Sequence, residues 1–242
     1  METKENFELF ISYIRRFIER DGVDEFISWL VDCTDIAIAP ASTKYHMSEE
    51  GGLIKHSINV MKRMIKLINM EYGSIELSPF TKETIAFVSL FHDISKLNFY
   101  EKYTKNVKNQ ETGEWEQVVC YKVREPKDRL LYGMVEENSV YILQKFFKMS
   151  IEEASAIRWV EGYSNSNDSA TVSAVFNLYG ISTLAMLLHV ANFMSICVDE
   201  TSDEKMIDVE IPCKELEFNK EERLTDEEDS LRPTPETLDC PF

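Results

Sequence analysis

Apolar side chains recur at helical spacing along most of this chain. Residues 4–20 show the i, i+3, i+4 pattern of an amphipathic helix, and Val23–Val31 repeats it after Asp21-Gly22. The same pattern predicts further helices at Leu53 to about Tyr72, from Thr81 to near Lys96, and at Val135–Lys148, Ile151–Trp159, Ser169–Leu178 and Ile181–Val198. A mainly α fold is therefore expected.

One segment departs from the helical period. Between Asn98 and Val123, Tyr and Val alternate with Lys, Asn and Gln on both sides of the turn Glu111–Glu114. Such alternation around a Gly-containing turn is typical of a β-hairpin. Because its faces are polar, we expect a small β-hairpin insertion at the surface, spanning about residues 98–124.

Composition and charge divide the chain further. The whole protein has 242 residues and a net charge of −17. Much of this negative charge lies in residues 199–242, which include 16 acidic and 5 basic residues. We expect N-terminal helices (1–35) packed on a domain of residues 36–200, followed by an acidic, extended or disordered tail (201–242). No basic face suited to long nucleic acid is visible, whereas a small phosphorylated substrate stays compatible if a metal supplies positive charge.

The expected location is the cytoplasm. No apolar run is long enough for a membrane span, and residues 1–5 lack the basic start of a signal peptide. The five cysteines form no C-x-x-C pair, so reduced thiols are expected, with Cys197 in the core.

The candidate chemistry lies among four histidines. A single histidine is more often a satisfied polar group than a ligand, but His92-Asp93 ends an apolar helix, where burying both groups is costly unless something satisfies them. A divalent cation does so, and imidazole with carboxylate suits zinc, iron, manganese or nickel. His56 follows Gly51-Gly52 at the start of another helix. Two packed helices would bring His56 and His92-Asp93 together, although spacing alone leaves this open.

The sequence around these residues resembles the HD-domain superfamily of metal-dependent phosphohydrolases. Segments Glu50–Ser57 and Leu90–Lys96 look like its first two motifs. Similarity to a bacterial and phage subgroup extends over Pro40–His46, Ser139–Tyr141, Ile157–Trp159 and Leu188–Asn192, so that it covers about residues 36–200.

The resemblance implies an HD-domain helical bundle in which His56, His92 and Asp93 bind a divalent metal (Mn, Fe, Ni, Zn or Mg). In such proteins the metal acidifies a water molecule and neutralises charge on a phosphate. Asp93 and Lys96 are the expected catalytic residues, with Lys96 contacting a substrate phosphate. The alternative role for Lys96 is structural, as a cation that is favourable near the C-terminus of a helix.

The chain also departs from the family pattern. The fourth ligand, an aspartate in such proteins, falls at Asn192, and the two further histidines of dinuclear relatives fall at Met134 and Val160. A single metal is therefore expected, with Asn192 either a weak ligand through its amide oxygen or a hydrogen-bonding group in a pocket that has lost its metal. His189 is expected to be a core histidine bonded to backbone rather than a support for the ligands. His46 either faces the site or lies at the surface.

Three functions are considered. The first is hydrolysis of a nucleotide or other small phosphate ester at one divalent metal. The alternative is a catalytically degenerate HD domain that serves as a ligand-binding or protein-interaction module, with the acidic tail as one place for a protein partner. A nuclease acting on polymers ranks last because of the acidic surface.

Overall fold

The fold is described from a computed structural model, which covers residues 2–109, 112–131, 135–163 and 168–200. The predicted acidic tail lies outside these described residues. Within them are eight α-helices: α1 (Glu2–Phe17), α2 (Val23–Cys33), α3 (Gly52–Tyr72), α4 (Lys82–Phe91), α5 (Val135–Leu143), α6 (Ile151–Arg158), α7 (Ser169–Ile181) and α8 (Thr183–Met194). The two strands are β1 (Tyr100–Lys108) and β2 (Trp115–Val123). The predicted mainly α fold with one small hairpin is confirmed.

Helix α4 forms the centre of the core. All residues from Ile85 to Phe91 are buried, so this part of the helix presents no face to water. It packs against α1, α3 and α6. Phe91 joins an aromatic cluster around Phe26 of α2, whose ring centroid lies 4.9 Å from that of Phe91 and 5.0 Å from that of Phe147. A helix buried on all sides carries its C-terminal residues into the interior, and His92 is the next residue.

Arg20, just beyond α1, ties three elements together. Its guanidinium contacts Glu83 of α4 at 3.0 Å and Glu153 of α6 at 2.8 Å. It also lies 4.0 Å from the ring centroid of Phe87. The N-terminal helices and α6 are thus fastened to the same central helix, and all the described residues belong to one compact unit.

The hairpin has the position and character expected from the sequence. β1 and β2 pair antiparallel from Tyr100 opposite Val123 to Lys108 opposite Trp115. Most of its side chains are exposed, and Tyr121 is the only buried residue of the two strands. Lys102 reaches back to Glu50 with a nitrogen–oxygen distance of 2.6 Å.

Helix ends and cysteines differ from expectation. α4 stops at Phe91 and a 3-10 turn follows at Ile94–Lys96, whereas α8 stops at Met194 and continues as a π-helical turn, Ser195–Asp199.

Cys120 and Cys197 are free thiols. The expectation of reduced thiols is wrong at Cys33, which is disulfide-bonded. Cys197 is exposed, so its predicted core position is wrong as well.

The described helices were also compared with the requirements of a membrane span. None is by itself long and apolar enough to cross a membrane, although α7 and the helix that follows it meet the length and composition test as a pair bent by 111°.

Candidate metal centre

The first turn of α3 places His56 inside the domain. Gly51 has φ 74° and precedes the helix, and a Cβ on Gly52 would lie 2.0 Å from the carbonyl oxygen of Met47. Only glycine fits so close to a neighbouring backbone. The loop therefore passes tightly over the start of α3, and the side chain of His56 is completely buried.

His92 and Asp93 enter the same space from the end of α4. His92 is also fully buried, and its Nδ1 lies 2.8 Å from the carbonyl oxygen of Ser89. Asp93, only 3% exposed, leaves the helical conformation at φ −107°, ψ 17°. This change of direction turns its carboxylate back toward the histidines.

The three side chains converge on one point. The Nε2 atoms of His56 and His92 are 3.2 Å apart, and Oδ2 of Asp93 lies 3.5 Å from each of them. Ligand bonds of about 2.1 Å place neighbouring donor atoms about 3.0 Å apart in an octahedral site and about 3.4 Å apart in a tetrahedral one. The spacing therefore fits three ligands on one face of a divalent metal.

The hydrogen bonds fix which nitrogen of each imidazole carries a proton. A carbonyl oxygen only accepts, so His92 must donate from Nδ1, which leaves a lone pair on its Nε2. Nδ1 of His56 lies 2.9 and 3.1 Å from the two carboxylate oxygens of Glu200 and donates likewise. Two lone pairs and a carboxylate oxygen thus face one another in a buried space, an arrangement that is costly without a cation or an extra proton between them.

Lys96 already offers one positive charge to the cluster. Its Nζ lies 2.6 Å from Oδ2 of Asp93, and its side chain is 12% exposed. Burial raises the pKa of Asp93, but Lys96 and the histidines outweigh it and hold this pKa well below its usual value. Burial lowers the pKa of Lys96. This effect is outweighed by Asp93, Tyr100 and Glu161, which together raise the pKa above its usual value. Both groups are therefore charged at neutral pH.

His46 also faces the cluster. Its ring centroid lies 4.9 Å from that of His56, and its Nε2 is buried with no hydrogen-bond partner among the described residues. Burial, followed by the neighbouring His56 and Lys96, lowers the pKa of His46 to about 4, so the ring is neutral at neutral pH. Of the two positions expected for His46, the structure has the one that faces the site.

Asn192 of α8 is only 2% exposed. Its Nδ2 donates to Oε1 of Glu161 at 3.1 Å, and its Oδ1 is buried without a hydrogen-bond partner in the described part of the chain. The bond to Glu161 decides the orientation of the amide, since a carboxylate accepts from nitrogen and not from oxygen. An oxygen acceptor is thus left available, as a ligand position would require.

The remaining sequence candidates are accounted for more simply. His189 has its Nδ1 2.7 Å from the carbonyl oxygen of Val160 and stacks on Tyr179, so the expected bond to backbone is confirmed, although the residue is only partly buried. Val160 is fully buried and offers no ligand atom. Met134 lies outside the described residues.

Two carboxylates near the site were not expected from the sequence. Glu200 contacts His56, and Glu161 contacts Asn192. Glu200 belongs to the acidic stretch that begins at Asp199, and Glu161 follows the non-ligating Val160. Neither position carries a local signal that separates it from a solvated acid.

Comparison with known proteins adds no relative. No family model, no curated protein sequence and no solved structure matches this chain.

Proposed function

We propose that this chain is an HD-domain protein that binds one divalent metal through His56, His92 and Asp93 and hydrolyses a small phosphate ester such as a nucleotide. One observation carries the proposal. The Nε2 atoms of the two imidazoles face each other 3.2 Å apart in a buried space, and a carboxylate oxygen of Asp93 lies 3.5 Å from each of these nitrogens. Metal-binding histidines have this arrangement, with the other ring nitrogen donating to a carbonyl or carboxylate.

The chemistry follows from the site's charges. Three carboxylates contact residues of the site, those of Asp93, Glu161 and Glu200, against the one ammonium of Lys96, so the protein alone disfavours a phosphate. A bound divalent cation would offset this charge, polarise the phosphate and lower the pKa of a water. Neutral His46 offers an unpaired, buried ring nitrogen to a substrate atom, and Asn192 offers its amide oxygen. The motif resemblance supports the choice of a phosphate ester.

A phosphate-release screen tests this proposal. Purified protein is incubated with nucleotides and simple phosphate esters in the presence of manganese, cobalt, nickel or magnesium, beside an Asp93→Ala variant. We expect metal-dependent release that Asp93→Ala lacks. Release no greater than that of the Asp93→Ala control with every metal would contradict the hydrolase.

A second function is favoured by two specific observations. The expected aspartate is Asn192, and Lys96 already neutralises Asp93. A degenerate HD domain that binds a nucleotide without cleaving it would have this composition. It predicts thermal stabilisation by nucleotides with no phosphate release, and turnover by the natural protein would exclude it.

A further inference from the structure

Glu200 is a buried carboxylate with no part in the proposed hydrolysis. Its side chain is completely buried, although it lies in the acidic stretch of the sequence that begins at Asp199. Both of its oxygens lie within 3.1 Å of Nδ1 of His56, and Oε1 also accepts from Nδ2 of Asn59 at 3.2 Å. His56 and Asn59 are one turn apart on α3, so Glu200 is held by one face of that helix.

A break in helical geometry brings Glu200 there. After α8 the backbone widens into the π-helical turn Ser195–Asp199, and the amide of Glu200 donates to the carbonyl of Ser195 at 3.0 Å. Such wide turns in helices are frequent at functional sites. The turn directs both Asp199 and Glu200 onto α3, where Asp199 pairs with Arg63.

We infer that Glu200 is a positioning residue that holds His56 in the tautomer required of a metal ligand; this rests on the metal site proposed above. A neutral imidazole has one proton to place. With the carboxylate beside Nδ1, that proton stays on Nδ1, and the Nε2 lone pair is directed at His92 and Asp93. Without Glu200, Nε2 competes for the proton, since it lies beside the acceptors of the cluster.

Asp199 provides a matched control. It is the neighbour of Glu200 on the same turn, and its Oδ2 accepts from Nε of Arg63 at 3.0 Å without touching His56. Asp199→Asn therefore weakens the docking of the turn on α3 and leaves the acceptor of His56 in place. Glu200→Ala removes the acceptor, whereas Glu200→Gln keeps an amide oxygen there and loses only the charge.

The test begins with the metal-free protein. Two-dimensional nitrogen-15 NMR of the histidine rings reports which nitrogen carries the proton. We expect His56 to be protonated at Nδ1 in the natural protein, in Asp199→Asn and in Glu200→Gln, and to populate the Nε2-protonated form in Glu200→Ala. An unchanged His56 tautomer in Glu200→Ala would overturn the inference. Because no metal is present, this result is independent of whether the hydrolase proposal holds.

A cobalt titration gives the second readout and serves if Glu200→Ala does not fold. Loss of such an outer carboxylate typically weakens metal binding roughly 10- to 100-fold. We expect that loss in Glu200→Ala, a smaller loss in Glu200→Gln and native affinity in Asp199→Asn. Native affinity in Glu200→Ala, or a loss in Asp199→Asn as large as that in Glu200→Gln, would contradict a role through His56.

Discussion

At the scale of single residues, the site is defined by what each ring nitrogen contacts. The Nδ1 atoms of His56 and His92 are both engaged, one by the Glu200 carboxylate and one by the Ser89 carbonyl. The facing Nε2 atoms and the Asp93 carboxylate all present electron pairs, so a cation is the partner that satisfies them together. Lys96 meets part of this need, which makes it a competitor of a metal for Oδ2 of Asp93.

Replacing Lys96 tests that competition. In Lys96→Met, Asp93 stays 97% buried but loses its partner, and breaking a buried ion pair in this way costs about 3–5 kcal/mol. We expect the metal-free variant to melt well below the natural protein, and manganese to stabilise the variant more than it stabilises the natural protein. Thermal unfolding with and without manganese measures both effects.

Lys102→Met is the matched control, because that lysine pairs with Glu50 at a half-exposed site. A change of no more than about 1 kcal/mol is expected there. If manganese stabilises Lys96→Met less than it stabilises the natural protein, Lys96 supports the metal rather than opposing it.

Asn192 allows a second substitution. In Asn192→Asp a buried carboxylate replaces an amide that now donates to the partly buried Glu161 at 3.1 Å, so two like charges meet. We expect lower stability without metal and at least about tenfold tighter cobalt binding, since an anionic oxygen is the better ligand. The double variant Asn192→Asp, Glu161→Gln should recover the stability. Unchanged cobalt affinity would show that residue 192 does not face the metal.

The sequence predicted some of these residues and not others. His56, His92 and Asp93 were recognisable because they follow a glycine pair and end an apolar helix, and the motifs resemble a known family. Glu200 could not be recognised from the sequence, because its contact with His56 depends on a π-helical turn and joins residues 144 positions apart. Helical periodicity reports which face is apolar and carries no information about such a turn.

At the scale of elements, periodicity predicted which segments are helical but not where each helix ends. α4 was expected to continue to near Lys96, yet Asp93 turns back to contact Lys96 and the histidines. The end of this helix is set by interactions of side chains that only the folded structure brings together. The hairpin was easier to predict, because its alternation and turn are local signals.

The junction of α1, α4 and α6 at Arg20 makes stability depend on pH. Burial raises the pKa of Glu83 and of Glu153, and the hydrogen bonds from Arg20 outweigh it, so that both values fall below normal. A carboxylate with a depressed folded pKa stabilises the fold above its unfolded value of about 4.3, and this stabilisation is lost as the pH falls through the folded value. Acidification below about pH 4 should therefore weaken the junction.

Arg20→Ala should cost about 2–4 kcal/mol near neutral pH, since Glu153 is left buried without its partner. The difference from the natural protein should shrink below about pH 4, where the glutamates take up protons. Urea unfolding at several pH values measures it. Arg15→Ala is the control, because Arg15 is exposed and 3.6 Å from Asp24. A pH-independent loss in Arg20→Ala would contradict the ion-pair account.

At the scale of the whole molecule, acidity shapes what can bind. The net charge is −17, and three carboxylates, those of Asp93, Glu161 and Glu200, contact residues of the site, against the one ammonium of Lys96. Asp199 and Glu200 belong to the acidic stretch of the sequence, yet they are paired with α3. No local pattern in the sequence distinguishes these two residues from the acidic residues that follow them.

This charge balance predicts an order of binding. Inorganic phosphate should bind the metal-free protein too weakly to detect, and should bind measurably once manganese is present, because the cation reverses the local potential. Calorimetric titrations of phosphate, with and without manganese, check this. Phosphate binding of equal strength in both cases would place the anion away from His56, His92 and Asp93.

The central claim is one divalent metal on His56, His92 and Asp93. A cobalt titration of metal-free protein, followed by X-ray absorption spectroscopy of the loaded sample, tests it most directly. We expect one equivalent of cobalt with two imidazole nitrogens in its shell, and loss of that equivalent in His92→Gln. Failure of the natural protein to bind cobalt, or equal binding by His92→Gln, would contradict the account.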